Sequence, residues 1–479
     1  MAESFSRTEM LPSLPPPVSE RGAVKWVREN LFSSTLNIFL TIVALAAIAW
    51  IVVTAFPWWA NSVWNATSLN ECRTIVAAKA GAGATGACWA FLRVWWGAFI
   101  FGYYPSGEWW RPVLAFGFMF AALAPVLFAG QKRNLTLMLA LVAAFLALTL
   151  YLAVAPGSAY LLALLIVAAL IVAAQVRPGK LLWFTLAFPA ICFWLLWGGS
   201  IWAPIAAMAG FGLLYAVFRV GSPVIGFVPA AGAGVIAAVL WWLFADAPVV
   251  GAIHSLVPFG LPKINSDQFG GFLLAFVIGI TGITFSLPIG IMLALGRQSD
   301  MPIVKTLCVI FIETIRGVPL ITLLFVAAFV LGFFLPPQAN FDLLLRVVIL
   351  VTLFSAAYLA EVLRGSLAAL PRGQYEAADA LGLDYWRAQR LIILPQALKI
   401  SIPAIVSSFI GLFKDTTLVI IVALYEPLKG ITGLVRQDVN WKGIYWEPYI
   451  FVGTIFFVFC FGMSRYAKYL ERKLKTDHR

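Results

Sequence analysis

Charged side chains are scarce in this chain. Asp, Glu, Lys and Arg make up 11% of its 479 residues, whereas soluble domains carry about 25%. Hydrophobic residues reach 62%, and the mean hydropathy is +0.94. Many windows hold the roughly 20 apolar residues that a spanning helix requires. We therefore exclude a soluble fold and predict an all-α integral membrane protein, a polytopic helical bundle of about 12 spans.

Histidine is rarer still, with His254 and His478 as the only two. The sequence shows no metal-ligand spacing and no paired acidic motif inside a span, so it offers little for an intramembrane enzyme. The phosphate-binding pattern G-x-x-x-x-G-K-[ST] is also absent, because Gly179-Lys180 is followed by Leu181 and lacks the upstream glycine. We predict that the chain holds no metal or cofactor of its own and cannot hydrolyse ATP alone.

The five cysteines are scattered along the chain. Cys192, Cys308 and Cys460 fall in apolar runs, where packing accounts for them. Cys72 and Cys88 fall in a predicted outer loop. In an oxidising periplasm these two could form a disulfide. Two unpaired small residues remain the alternative.

The formal charge of +12 first suggests a nucleic-acid partner. When loops alternate between the predicted spans, however, most of the 33 Lys and Arg fall on one side. This asymmetry is the positive-inside pattern, and it assigns both termini and the loop 361–403 to the cytoplasm. The basic residues therefore indicate topology, with some attraction to the anionic lipid of the bilayer, and we predict no nucleic-acid partner.

Apolar runs divide the chain into three parts. We expect a disordered cytoplasmic lead over 1–35, without an evident cleavable signal peptide. An N-terminal extension, 36–260, then carries about seven spans and an outer loop, 57–111, rich in the Trp and Tyr of a membrane interface. A C-terminal block, 261–479, follows. The predicted spans are 36–56, 113–130, 135–155, 158–175, 181–198, 201–218, 224–244, 269–295, 305–334, 343–360, 404–425 and 449–468.

One loop of the C-terminal block carries a spaced motif. It reads Glu376-Ala377-Ala378-Asp379-Ala380-Leu381-Gly382, then nine residues, then Ile392-Ile393-Leu394-Pro395. This spacing resembles the EAA loop in the membrane subunits of ABC importers. The resemblance implies that a short helix seats in a groove of a separate ATPase subunit and passes its closure to the spans. The coupling residues it implies are Gln374, Tyr375, Glu376, Ala377, Ala378, Asp379, Leu381, Gly382, Leu394 and Pro395.

Local rules predict the shape of this loop. Residues 374–381 should form two helical turns that end at Gly382, in the left-handed conformation that favours glycine. Asp384 is a good N-cap for a second helix, which we expect to run to Leu394 and to stop before Pro395. A surface-lying amphipathic helix without a partner is the alternative.

The C-terminal block as a whole follows the same resemblance. Gly296-Arg297 closes one span, residues 313–320 read E-T-I-R-G-V-P-L, and residues 413–418 read F-K-D-T-T-L. Their order resembles the five-span transmembrane domain of polar amino-acid ABC importers. The overall plan resembles the larger M-type membrane subunit of the general L-amino acid permease. From about 131 to 250 this resemblance thins out, and we interpret that region as lipid-facing scaffold.

The resemblance implies a permease subunit of an inner-membrane importer of L-amino acids. Its implied partners are two copies of an ATPase subunit that bind ATP and Mg, a second and shorter permease subunit, and a periplasmic amino-acid-binding protein. The outer loop 438–448 is a candidate contact for the binding protein. A secondary amino-acid transporter is the alternative; such proteins usually show two repeated halves, and the sequence shows no second copy of the loop.

Several polar residues fall inside predicted spans. They are Glu313, Arg316, Lys414, Asp415, Thr416 and Thr417. Counted from the span starts at about 1.5 Å per residue, the four charges approach the bilayer midplane. Charges there cost at least about 2.5 kcal/mol each and normally face protein or water. We hypothesise that these residues line the route of a zwitterionic amino acid; structural ion pairs are the alternative.

Overall fold

The computed structural model describes residues 22–128, 130–151, 157–330 and 342–474. The chain divides into two compact units, Met1–Arg93 with Val439–Glu447 and Val94–Asp438 with Pro448–Arg479. The described residues contain 11 helices long and apolar enough to span a membrane, or up to 12 if one bent pair counts as a single span. The predicted fold class, an all-α polytopic membrane bundle, is confirmed.

The first unit contains three helices and the start of a fourth, and serine caps two of them. The helices are α1 (Gly22–Asn30), α2 (Thr35–Ala60), α3 (Leu69–Ala80) and the start of α4 (Phe91–Phe101), and the caps are Ser34 on α2 and Ser68 on α3. Ser68 accepts the N–H of Glu71 at 3.3 Å, a cap that contributes about 1 kcal/mol. The hydroxyl and N–H of Thr67 both donate to the Glu71 carboxylate and hold its pKa below the ordinary value.

The outer part of the first unit is held by a disulfide and by the segment 439–447. The structure joins Cys72 to Cys88, whose Cα atoms lie 6.0 Å apart. The N–H of Cys88 donates to Glu447 at 2.8 Å, and the N–H of Leu69 donates to the carbonyl of Asn440 at 2.8 Å. The bonded pair is therefore the one that the sequence singled out.

The second unit starts with the helices of the extension. They are α5 (Trp110–Leu127), α6 (Lys132–Tyr151), α7 (Gly157–Val176), α8 (Leu182–Trp197), α9 (Trp202–Ile225), α10 (Phe227–Leu240) and α11 (Asp246–Leu256), with a short antiparallel pair β1 (Gly199–Ser200) and β2 (Gly260–Leu261). Helix α5 begins with a fully buried charge. Arg111 donates to the carbonyl of Pro262 at 2.8 Å and pairs with Glu108 at 2.7 Å.

The C-terminal block packs around two long helices, α12 and α15. Its elements are α12 (Gly271–Arg297), α13 (Pro302–Gly317), α14 (Leu320–Phe325), α15 (Leu343–Ala368), α16 (Gly373–Ala380), α17 (Tyr385–Ala388), α18 (Leu394–Asp415), α19 (Pro427–Gly430) and α20 (Trp446–Leu474). A Cβ at Gly290 of α12 would lie 2.9 Å from the Cβ of Leu359 on α15. Glycine therefore permits the close approach of these two helices, as is common between membrane helices.

Two segments are more helical than the sequence predicted. Within the lead 1–35, expected to be disordered, residues 22–30 form α1; Val24 and Val27 lie three residues apart and so share one face. Residues 1–21 lie outside the described part of the chain. The stretch 245–268, which lies between the predicted spans 224–244 and 269–295, continues as helix to Leu256 because a π-helical turn, Trp241–Ala245, carries α10 into α11.

The predicted span 305–334 is broken. Helix α13 ends at Gly317, and the next helical segment, Leu320–Val330, leaves it at an angle of 101°. Pro319 explains the break, because a proline lacks the N–H of a helical bond and disfavours helical backbone in the residue before it. Residues 331–341 of this predicted span and its following loop lie outside the described part.

Candidate coupling loop and membrane charges

Helix α16 ends as its sequence predicts. Gly382 adopts φ +68°. Its N–H donates to the carbonyl of Asp379 at 2.9 Å, and the N–H of Leu383 donates to the carbonyl of Ala378 at 3.2 Å. These are the two bonds of a glycine-terminated helix. A Cβ at Gly382 would meet nothing within 4 Å, so the backbone conformation alone favours glycine here.

The second helix of the loop begins as predicted but does not stop at Pro395. Asp384 accepts the N–H of Arg387 at 2.8 Å. Helix α17 then passes through a π-helical turn, Gln389–Ile393, into α18, so that Tyr385–Val422 is one candidate span. The expected stop is wrong because Pro395 falls in the first turn of α18, where its missing N–H is tolerated.

The predicted coupling residues divide into an anchored and an exposed set. Ala378 is buried, and Gln374, Tyr375 and Leu394 are half-buried. The side-chain amide of Gln396 donates to Gln374 at 2.9 Å, which ties α16 to α18. The exposed members are Glu376, Ala377, Asp379, Leu381, Gly382 and Pro395.

An apolar surface accompanies the exposed set, and we call it the loop patch. Its members are Leu381, Tyr385, Trp386 and Leu391, and their side chains are 73%, 51%, 61% and 64% exposed. The sequence had indicated only Leu381. Trp386 and Leu391 could have been found from their five-residue separation flanking the buried Ala388 and Gln389. Exposed apolar clusters of this kind mark interaction sites.

A charged cluster joins three helices near the coupling loop. Arg297, the last residue of α12, donates to Glu313 of α13 at 2.8 Å and to Glu361 of α15 at 3.2 Å. Arg316 lies 3.5 Å from Glu361, and Arg364 donates to it at 2.6 Å. The Glu361 carboxylate thus accepts hydrogen bonds from Arg297 and Arg364 and forms an ion pair with Arg316. The sequence placed Arg297 only as the end of a span and missed Glu361 and Arg364, although these two share a helix face.

The midplane depth expected of Glu313 and Arg316 stays a prediction. It was counted along one continuous span, whereas α13 ends at Gly317. Their contacts place both residues level with the end of α12, because they share the cluster that includes Arg297. This geometry is that of structural ion pairs, the alternative that the sequence left open.

Lys414 and Asp415 have a different environment at the end of α18. Within the described ranges, neither side chain forms an ion pair. Lys414 is exposed on the same helix face as Ile400, Pro403 and Ser407, since these residues are spaced by three, four and seven positions. Within the residues that the structure describes, the Lys414 side chain therefore forms no hydrogen bond or ion pair, and the neighbouring Asp415 attracts it electrostatically.

The hydroxyl groups of the two threonines that follow donate to backbone carbonyls at the end of α18. Thr416 is fully buried and donates its hydroxyl to the carbonyl of Phe413 at 2.7 Å. Thr417 donates its hydroxyl to the carbonyl of Lys414 at 2.8 Å. In the described part of the chain, no hydrogen bond or ion pair joins these residues to Glu313 or Arg316. The two predicted groups of route residues thus form separate sites.

Comparison with known proteins decides between the functions that this architecture allows. Residues 286–476 match the family described as binding-protein-dependent transport system inner membrane component. The chain is 57% identical over 476 residues, 99% of each protein, to the glutamate/glutamine/aspartate/asparagine transport system permease protein BztC of Rhodobacter capsulatus. The chain belongs to the amino-acid ABC transporter permeases. The comparisons favour this function over the secondary transporter.

Further similarities cover the whole permease or its C-terminal block. The inner membrane amino-acid ABC transporter permease protein YhdY of Escherichia coli is 34% identical over 474 residues, 98% of each chain. Because both alignments cover nearly the full length, the extension is shared with these relatives. A crystal structure of an amino acid ABC transporter with histidines covers 42% of this permease and 91% of that chain, at 29% identity and a TM-score of 0.37.

The permease is thus a multi-pass membrane subunit of an ABC importer for amino acids. Membership of this family implies an ATPase and a substrate-binding protein as its partners. The complete importer moves the substrate, and this chain is one of the membrane-spanning subunits of that importer.

Proposed function

We propose that this permease imports glutamate, glutamine, aspartate and asparagine. Its 57% identity over 99% of both chains to a permease named for these four amino acids carries the proposal. The proposed assembly adds a second, shorter permease subunit, two ATPase subunits that bind ATP and Mg, and a periplasmic binding protein that contacts loop 438–448. ATP hydrolysis belongs to the ATPase subunits, and both termini of this permease face the cytoplasm.

The proposed ATPase contact is the loop patch together with Glu376 and the end of α16. The patch offers apolar area, and Glu376 beside it offers one charge for orientation. The small residues Ala377 and Ala380 let a groove approach the helix closely. An interface needs such a buried apolar centre with a polar rim.

Movement of the loop has a direct path into the membrane. Gln374 ties α16 to α18 through Gln396, and the helical segment Tyr385–Val422 is 38 residues long. From Trp386 to Lys414 this segment measures about 42 Å, at 1.5 Å per residue. A displacement imposed at the loop patch therefore moves the far end of α18, where Lys414 is exposed.

Lys414 is the residue that we propose for the transport route or its border with the second permease subunit. A cation in a membrane helix needs water, a carboxylate or another acceptor. In the described chain no side-chain acceptor lies within ion-pair distance of Lys414, and the α-carboxylate of a passing amino acid would supply that contact. Glu313 and Arg316 are proposed to shape the same route less directly, through the charged cluster.

The substrate proposal is tested by uptake into proteoliposomes that contain the purified complex, its binding protein and enclosed ATP. Labelled glutamate should accumulate, and unlabelled glutamine, aspartate and asparagine should compete with it. Leucine and lysine should not compete. Equal competition by leucine, or uptake that collapses with a proton ionophore while ATP is maintained, would contradict the proposal.

The proposed role of Lys414 is tested in the same vesicles. Lys414→Met should reduce uptake at least about tenfold, because it removes a charge-assisted contact worth about 1.5–3 kcal/mol. Lys305→Met is the matched control, since Lys305 is also an exposed lysine, at the start of α13. Full uptake by Lys414→Met in a normally assembled complex would remove this role.

A further inference from the structure

A cavity of about 1090 Å³ lies where the extension packs against the C-terminal block. Its walls are formed by α4, α5, α6 and α8 of the extension and by α12, α15 and α20 of the block. None of the coupling residues or of the proposed route residues lines it. The transport function therefore leaves this cavity without a role.

The walls of the cavity are aromatic. Nine phenylalanines line it, and Phe116, Phe276 and Phe459 contact one another with ring centroids 4.7 to 6.1 Å apart. Two of the hydroxyl groups in the walls are already engaged, because Thr185 donates to the carbonyl of Ala122 at 2.7 Å and Thr284 to that of Ile280 at 2.8 Å. A zwitterionic amino acid would lose its hydration here without replacement.

The dimensions and openings of the cavity match one leaflet of a bilayer. Along α12 it reaches from Phe272 to Phe285, about 20 Å at 1.5 Å per residue, against about 15 Å for half of the hydrocarbon core. Phe193 and Phe285 are 46% and 52% exposed, so the cavity is continuous with the surface that faces lipid. Ser266 and Asp342 line its other end, beside Phe272.

We propose that this cavity binds a phospholipid, with an acyl chain between the extension and the C-terminal block. Unfilled apolar volume destabilises a protein in proportion to its size, so a flexible hydrocarbon chain that fills it holds the two parts together. A helix of the second permease subunit fits less well, because membrane helices pack on small residues and these walls are phenyl rings. The carboxylate of Asp342 at the rim favours an ammonium headgroup, such as that of phosphatidylethanolamine.

Lipid extraction and native mass spectrometry of the complete complex test the site. Val277→Trp on α12 and Ala122→Phe on α5 place larger side chains in the walls and so reduce the volume of the cavity. Leu141→Trp is the matched control, because Leu141 is 62% exposed on α6 and is no part of the lining. Wild type and Leu141→Trp should retain bound phospholipid, and both cavity variants should lose it. Retention at the wild-type level in both cavity variants would overturn the proposal.

Photocrosslinking keeps the test independent of folding defects, because it uses the wild-type complex. Phosphatidylethanolamine with a photoreactive group in its acyl chain should label α5 and α12 at the cavity more strongly than the exposed face of α6. Unlabelled phosphatidylethanolamine should compete better than phosphatidylglycerol. Labelling confined to outer helix faces would overturn the site. Efficient crosslinking of a Val277→Cys variant to the second permease subunit would likewise show a protein in place of the lipid.

Discussion

Replacing Gly382 with alanine isolates one physical effect at the coupling loop. The glycine has φ +68°, and a Cβ there meets nothing within 4 Å. The substitution therefore costs only the left-handed backbone, about 1–2 kcal/mol for a residue with a Cβ. Asparagine tolerates this conformation better, so Gly382→Asn should restore part of the loss. Gly373 on the same helix is equally open but lacks a positive φ, so Gly373→Ala should be neutral or slightly stabilising.

The assay is the affinity of the ATPase subunit for the permease in detergent, followed by uptake in proteoliposomes. If ATPase binding requires the formed end of α16, a cost of 1–2 kcal/mol weakens it about 5- to 30-fold. Affinity should decrease from wild type and Gly373→Ala, through Gly382→Asn, to Gly382→Ala. Equal affinity of the Gly382→Ala and Gly373→Ala variants would refute the reasoning.

Three further perturbations test other parts of the structure. Glu361→Gln should lower the free energy of unfolding by about 1.5–3 kcal/mol, since Glu361 forms ion pairs with three arginines. Glu313 is more exposed, so Glu313→Gln should cost less than about 1 kcal/mol. Equal thermal shifts of the two variants in detergent would contradict this. Burial raises the pKa of Glu426, which lies between two spans, to about 7 from 4.5. The folded state therefore binds more protons than the unfolded state, and the melting temperature should fall as pH rises from 4.5 to 7. Glu426→Gln should remove this dependence on pH. Reduction of the Cys72–Cys88 bond should slow migration on a gel and cost about 3 kcal/mol, and unchanged migration would exclude the bond.

The features that the sequence predicted correctly follow from neighbouring residues. Gly382 as a helix end and Asp384 as an N-cap depend on backbone groups within five positions. The rule that a helix stops before a proline failed at Pro395. The π-helical turn before it changes the hydrogen-bond register, so that Pro395 falls in the first turn of α18, where no N–H is needed. A proline alone therefore does not decide whether a helix stops; the hydrogen-bond register before it does.

The features that the sequence missed depend on distant partners. Arg297 and Glu361 are 64 positions apart, and their contact exists only because α12 and α15 pack side by side. The break of the predicted span 305–334 was missed for a related reason, since tertiary packing sets the 101° angle after Gly317. Hydropathy measures how apolar a run is and contains no term for its direction, so a bent pair and a straight span look alike.

The charged cluster and α18 together explain how one loop could move part of the membrane domain without moving all of it. The cluster ties α12, α13 and α15 to one another through three ion pairs at Glu313 and Glu361 that are 3.5 Å or shorter. No member of it lies on α18. Helix α18 packs against α15 through apolar side chains and is linked to α16, and the π-helical turn Gln389–Ile393, which contains Leu391 of the loop patch, joins α17 to α18. Since π-helical turns are sites where helices bend, the loop can tilt α18 against a frame that its own ion pairs hold fixed.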